Sequence, residues 1–188
     1  PLQVVSSLAS INPQQWDGLL TEAQPFLRHA FLSALEDSGS LGQHSGWRAE
    51  HLLHMEGGEL IAALPGYRKW HSYGEYVFDH GWADACRRAG LDYYPKLLCA
   101  VPFSPVTGPR LLAKHLDDGL ALLQSLPGYI EVEELTSAHI NFTQPGLDTL
   151  LAEQPGWLER LGCQYHWHNR SYRDFQDFLD ALSSRKRK

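Results

Sequence analysis

Lys96-Leu-Leu-Cys-Ala-Val-Pro-Phe-Ser-Pro-Val-Thr-Gly-Pro-Arg-Leu-Leu112 is the stretch whose reading decides the fold class. Lys96 to Phe103 is rich in Leu, Val and Cys without polar alternation, the pattern of a strand buried on both faces in the middle of a sheet. Val101 to Leu112 is punctuated by Pro105, Gly108 and Pro109, after which helical spacing returns from about Lys114 to Leu126. Strand, tight loop and helix in that order can hold a phosphate, because backbone N–H groups share one concavity and the helix adds its positive dipole end. Gly108 allows close backbone approach and Arg110 offers a charge-assisted contact. Pro105 and Pro109 bring no N–H, which leaves Val106, Thr107, Gly108, Arg110, Leu111 and Leu112 as donors. A rigid strand-to-helix turn accounts for the same residues.

Upstream, Pro25 opens an amphipathic helix carrying Leu27, Phe31, Ala34 and Leu35, closed by Gly39 and Gly42. Trp47 to Leu53 and Glu59 to Tyr67 read as two strands of a hairpin turned by Gly57-Gly58. Asp79 is placed to cap a short helix with Trp82, Ala85, Cys86 and Ala89 on the face toward the sheet and Gly90 at its end. Downstream, a strand is expected around Ala138 to Phe142, a helix from about Gly146 to Glu153 and a strand around Cys163 to His168. Ser171 is placed to cap a last helix with Phe175, Phe178, Leu179 and Leu182 as its apolar stripe. No glycine, asparagine or proline follows Ser183, so this helix is expected to run on into the basic residues Arg185 to Lys188. A sheet with helices is the working picture.

The composition excludes several classes. With 43% apolar residues the chain can bury a core, yet its longest apolar runs fall far short of the roughly 20 residues that span a bilayer. The segment Pro1 to Ile11 lacks the basic, apolar and small-residue zones of a secretory signal, so a cytoplasmic location is expected. Net charge is −6, which argues against DNA binding. Three widely spaced cysteines match neither a disulfide framework nor a metal site and read as reduced and mostly buried. Among ten histidines, His166-x-His168 and the His51 and His54 pair lack a third ligand at a recognisable spacing, so no metal is expected. No G-x-S-x-G elbow, Walker loop or dinucleotide fingerprint is present.

His71-Ser72-Tyr73-Gly74-Glu75-Tyr76 gathers titratable and hydroxyl groups on an irregular stretch beside the sheet. If it is extended, His71, Tyr73 and Glu75 point one way, a carboxylate beside imidazole and phenol suited to proton transfer. A polar strand end with satisfied hydrogen bonds is the alternative. His139 and Asn141 share one face of their strand, opposite Ile140 and Phe142, and line a cleft or face water.

The stretches H-S-Y-G-E-Y-V-F-D from His71, Y-Y-P-K-L from Tyr93, V-P-F-S-P-V-T-G-P-R-L-L from Val101 and W-H-N-R-S-Y-R-D-F-Q-D-F-L from Trp167, with Phe26 to Gly39 and Ser137 to Phe142, resemble a bacterial family of N-acyltransferases. That family is labelled peptidoglycan biosynthesis/recognition and is similar to the Fem-type ligases and the GNAT acetyltransferases. The resemblance implies an α+β, GNAT-like domain over residues 1–168, with a central mixed, largely antiparallel sheet flanked by helices. It implies that residues 169–188 begin a basic helix leading into a second GNAT-like half of the same polypeptide, without which an apolar patch would be exposed. Ser171 stands where the family's N-R-G-Y motif has glycine, and Pro109 stands where the acetyltransferase pyrophosphate loop has glycine.

The implied activity is transfer of an acyl or aminoacyl group to a small-molecule or peptide amine acceptor. Acyl-CoA or an aminoacyl-tRNA is the expected donor, and the net acidity weighs against tRNA. Glu75 is the first candidate for the general base and His139 the second, with His71 and Tyr73 orienting or relaying, and Val106, Thr107, Gly108 and Arg110 as the cofactor loop. A non-catalytic module recognising a peptide or cell-wall precursor is the alternative.

Overall fold

The computed structural model describes residues 2–187, so Lys188 of the expected basic run lies outside the described residues. Its fold is α+β, built on a long antiparallel ribbon that takes part in two sheets. β2 (Trp47–Ala49) and β3 (His51–Glu56) form one arm, β4 (Glu59–Leu64) and β5 (Gly66–Lys69) the other. Pairing holds one register from Trp47↔Lys69 through Ala49↔Tyr67 to Leu52↔Leu64. Gly57 and Gly58, at φ 59° and 89°, close the hairpin with the left-handed pair that a two-residue turn requires.

The ribbon bends where Pro65 brings no N–H and Glu50 faces Gly66. A side chain at Gly66 would sit 2.4 Å from the Glu50 carbonyl, so only glycine fits there. On one side of the bend β3 and β4 join β1 (Leu2–Val5) and β7 (Leu112–Ala113) in the order β1-β3-β4-β7. On the other, β2 and β5 join β6 (Lys96–Cys99) and β8 (Ala138–Ile140) in the order β2-β5-β6-β8. Every pairing is antiparallel except β6 with β8. The single central sheet expected from the sequence is thus two sheets sharing a ribbon, because the break at Glu50 and Pro65 lets each arm change partners.

β6 is buried along its whole length, Leu97–Cys99 as their apolar run requires and Lys96 with them. The neighbours Leu52 and Leu53 point to opposite faces of β3 and feed different cores. Leu53 joins Trp16 of α1 (Pro13–Asp17) and Leu32 of α2 (His29–Asp37), whereas Leu52 joins Leu97, Cys99 and Leu122, Leu123 and Leu126 of α4 (Leu116–Val132). The expected helix between Gly146 and Glu153 is α5 (Leu147–Ala152).

Several expectations are corrected. The helix after Asp79, α3 (His80–Arg88), has no buried residue and does not pack on the sheet; Trp82 is exposed. The loop after β6 reaches α4 only through the short strand β7. Cys163 to His168 form no strand, because no neighbouring chain completes a ladder there and the segment stays exposed. The last helix, α6 (Phe175–Ala181), is capped by the Asp174 carboxylate accepting from the Asp177 N–H, not by Ser171, and it stops before the basic run. Ser171 instead adopts a left-handed φ of 68°, the conformation natural to the glycine of the resembling motif. Cys99 is buried but Cys163 is exposed, so the cysteines are not mostly buried. Among the described residues no helix is long and apolar enough to cross a membrane.

Candidate functional site

The site begins with a conflict inside the second sheet. Lys69 ends β5 and Lys96 starts β6, and the two are direct cross-strand partners with fully buried side chains. Two buried ammonium groups facing each other are destabilising unless countercharges meet them. The chain supplies two carboxylates from the segment between these strands. Lys96 Nζ donates to Glu75 Oε2 at 2.9 Å, Asp79 Oδ2 at 2.8 Å and Ser72 Oγ at 2.9 Å, which uses all three of its protons. Lys69 Nζ donates to the Tyr73 carbonyl at 3.1 Å, lies 3.9 Å from the centre of the Trp47 ring and sits 4.0 Å from Glu75 Oε1.

These contacts fold residues 70–79 over the face of the sheet. Gly74, at φ 79°, packs its backbone so closely on Phe103 that a side chain there would come within 2.9 Å of the ring. Tyr76 and Phe78 hold left-handed φ values of 59° and 54°, conformations that cost energy in aromatic residues and that the Lys96 contacts sustain. The rim is aromatic. Tyr93 donates to Asp79 Oδ2 at 2.8 Å, and the Tyr94 and Ser72 hydroxyls are 2.8 Å apart. Asp79 leads into α3, but its carboxylate serves Lys96 and Tyr93 instead of capping the helix.

The electrostatics separate the two carboxylates. Burial pushes Glu75 upward, against the opposing pull of Lys96 and Lys69. Asp79 is also penalised by burial, but the hydrogen bonds from Lys96, Ser72 and Tyr93 outweigh it and hold its pKa well below the usual carboxylate range. Burial lowers Lys69 to about 7, with Glu75 opposing and Lys96 reinforcing the fall. Glu75 Oε1 and Asp79 Oδ1 are buried without a hydrogen-bond partner. The cluster therefore holds one ammonium fixed by three acceptors and one poised to lose its proton beside an unpartnered carboxylate oxygen.

The expected catalytic residues converge here in part. Glu75 is at the centre. His139 is the β8 partner of Leu98, on the sheet face that carries Lys96, and its ring meets Tyr93 edge-on at 5.9 Å. Burial, with the Lys96 charge, lowers His139 to about 4. His71 and Tyr73 lie outside the cluster: the Tyr73 ring is exposed, and the His71 ring packs against Gly46 and accepts from the Tyr73 N–H at 3.2 Å. Lys69, Lys96, Asp79, Ser72, Tyr93 and Tyr94 were missed from sequence. The available signal was a lysine at the end of each of two strands otherwise patterned for burial.

The loop after β6 is differently arranged. Arg110 is fully buried, and its guanidinium donates to the carbonyls of Asn141 at 2.8 Å, Pro109 at 3.0 Å and Val106 at 2.5 Å. The Gly108 N–H donates to the Phe142 carbonyl at 3.1 Å. Two of the four expected cofactor-binding groups are thus engaged in holding the loop's own shape. The Gly108 N–H and the Arg110 guanidinium are therefore occupied within the chain. Among the described residues no group of three or more His, Cys, Asp or Glu side chains is arranged to hold a metal.

Residues 7–188 match the FemAB-like family, described as peptidoglycan biosynthesis/recognition. The chain belongs to the FemAB-like family. The Lys69, Glu75, Asp79 and Lys96 cluster lies within the matched region, and a peptidoglycan-related role follows from membership. No curated protein and no solved structure matches the chain.

Proposed function

We propose that this FemAB-like chain takes part in transferring an acyl or aminoacyl group to an amine of a peptidoglycan precursor, with Glu75 and Lys69 as the proton-accepting pair. The observation that carries this reading is the unpartnered Glu75 Oε1, 4.0 Å from the Lys69 ammonium whose pKa stands near 7. At neutral pH such a pair accepts a proton without a large penalty, which is what a general base near the operating pH needs. The acceptor ammonium gives one proton to the pair, its lone pair forms the new amide bond to the acyl carbon, and the ester or thioester bond breaks as the nitrogen's second proton passes to the leaving group. His139, neutral because burial holds it near 4, is the second candidate base. His71 and Tyr73 orient the acceptor at the surface. Acyl-CoA or aminoacyl-tRNA is the proposed donor, bound with the help of a second GNAT-like half, and the reaction is placed in the cytoplasm.

The full polypeptide, incubated with an acyl-CoA or a charged tRNA and a stem peptide bearing a free amine, should yield the amide by mass spectrometry. Glu75→Gln should slow it by about 10²–10⁴-fold. A second reading, a recognition module without catalysis, is favoured by the engagement of Gly108 and Arg110 with carbonyls of their own chain. Tight precursor binding with no amide from either donor would establish it.

A further inference from the structure

Residues 158–166 cross between the two loops singled out above. Arg160 Nη2 donates to the Val77 carbonyl at 2.9 Å, and Gln164 Nε2 donates to the Pro105 carbonyl at 2.5 Å. Val77 belongs to the segment that covers Lys96, and Pro105 to the loop that follows β6. Aromatic contacts bracket the crossing, with the core on one side and with the carboxy-terminal helix on the other. Trp157 packs against the core around Leu122 and Leu126, while Trp167 stacks on Tyr172 and meets Phe178 edge-on.

Between these contacts almost nothing holds it. Leu158, Leu161 and Tyr165 are 94%, 84% and 99% exposed, so no apolar burial fixes the crossing. Residues 158–166 form no helix or strand and take part in no backbone-to-backbone hydrogen bond. A segment with few buried contacts and solvent-exposed hydrogen bonds belongs to the low-stability end of a fold, where local opening is easy. Gly156, at φ 87°, and Ser171, at φ 68°, lie on either side of the crossing and are suited to absorb a change of direction. The Arg160 charge also reaches both Tyr93 and His139 at the site.

We propose that residues 158–166 are a strap that closes the site between the two loops and swings aside to admit substrate, with Arg160 and Gln164 as its fastenings. The proposal rests on the reading of the Lys96 face as the functional site. Its test involves no turnover, so the two fail separately.

The experiment is residue-resolved modification by diethyl pyrocarbonate at pH 7, followed by mass spectrometry, on the wild-type polypeptide and on the Arg160→Ala/Gln164→Ala variant. His139 is neutral at that pH, so its modification rate reports access to its ring, and His51, fully buried in the first sheet, reports global opening. The strap predicts that His139 reacts about fivefold or more faster in the variant while His51 stays unmodified. The conservative Arg160→Lys variant, which keeps a donor for the Val77 carbonyl, should remain near the wild-type rate. An unchanged His139 rate in the double variant would overturn the strap, as would a parallel rise at His51.

Discussion

Two of the polar clusters buried among the described residues, one against each sheet, differ in whether their hydrogen bonds close. In the first sheet His51 Nδ1 accepts from the Gly66 N–H at 3.2 Å, which places the ring proton on Nε2, where it is donated to Glu36 Oε1 at 3.0 Å. The other Glu36 oxygen accepts from the Ser7 hydroxyl at 2.7 Å and the Leu8 N–H at 3.0 Å. Every named polar atom there has a partner, and the cluster ties the amino-terminal segment and α2 to the ribbon. In the second sheet Glu75 Oε1 and Asp79 Oδ1 are left without one, and Lys69 is held near neutrality. A closed network fixes structure, whereas an open one with displaced pKa values is where chemistry is sought.

The largest expected effect breaks the open cluster at its hub. Lys96→Met leaves Glu75 and Asp79 buried without their cation and should cost about 3–5 kcal/mol of stability in urea unfolding. Glu36→Gln, which keeps the volume and one acceptor oxygen of the closed cluster, should cost about 1.5–3 kcal/mol. If the order of these two costs were reversed, the distinction between the clusters would fail.

A subtler contrast lies in pH dependence. With its folded pKa near 7 and an ordinary value of 10.5, Lys69 binds fewer protons in the folded than in the unfolded chain between those limits. Stability therefore rises with pH from about 7 toward 10.5 on account of this group. Lys69→Met should flatten that rise, measured as unfolding free energy across the alkaline range. Glu36→Gln, in the closed cluster, should leave the slope there unchanged, because the Glu36 carboxylate is held below its ordinary value by His51 and Ser7 in spite of burial and is ionised throughout.

Much of this architecture was legible in the sequence, for reasons that are local. The Gly57-Gly58 turn, the amphipathic helix that ends before Gly39 and the buried β6 run each announce themselves within a few residues, although Pro25 opens only a 3-10 turn and the extended Arg28 delays the helix itself to His29. The bend that splits the sheet depends on Pro65 facing Glu50 across the ribbon, and single-strand patterning does not register such a pairing. Glu75 was singled out because it sits in a conspicuous polar stretch. Lys69 and Lys96 were not, because a single lysine carries no sign of its burial, and only cross-strand register reveals the two as buried neighbours. Arg110 shows the converse: a cation in a proline-rich loop resembles a ligand for phosphate, yet three carbonyls of its own chain take its protons. Cys163 to His168 alternate like a strand but have no partner, and alternation does not supply one.

The proposed proton-accepting pair requires Lys69, 4.0 Å from Glu75 Oε1, to titrate near neutral pH. Nitrogen-detected NMR titration of the Lys69 side chain tests it most directly. The predicted midpoint is about 7, falling further in Glu75→Gln because the carboxylate that supports the ammonium is removed. A Lys69 ammonium that stays protonated to its ordinary value near 10.5 would contradict the account.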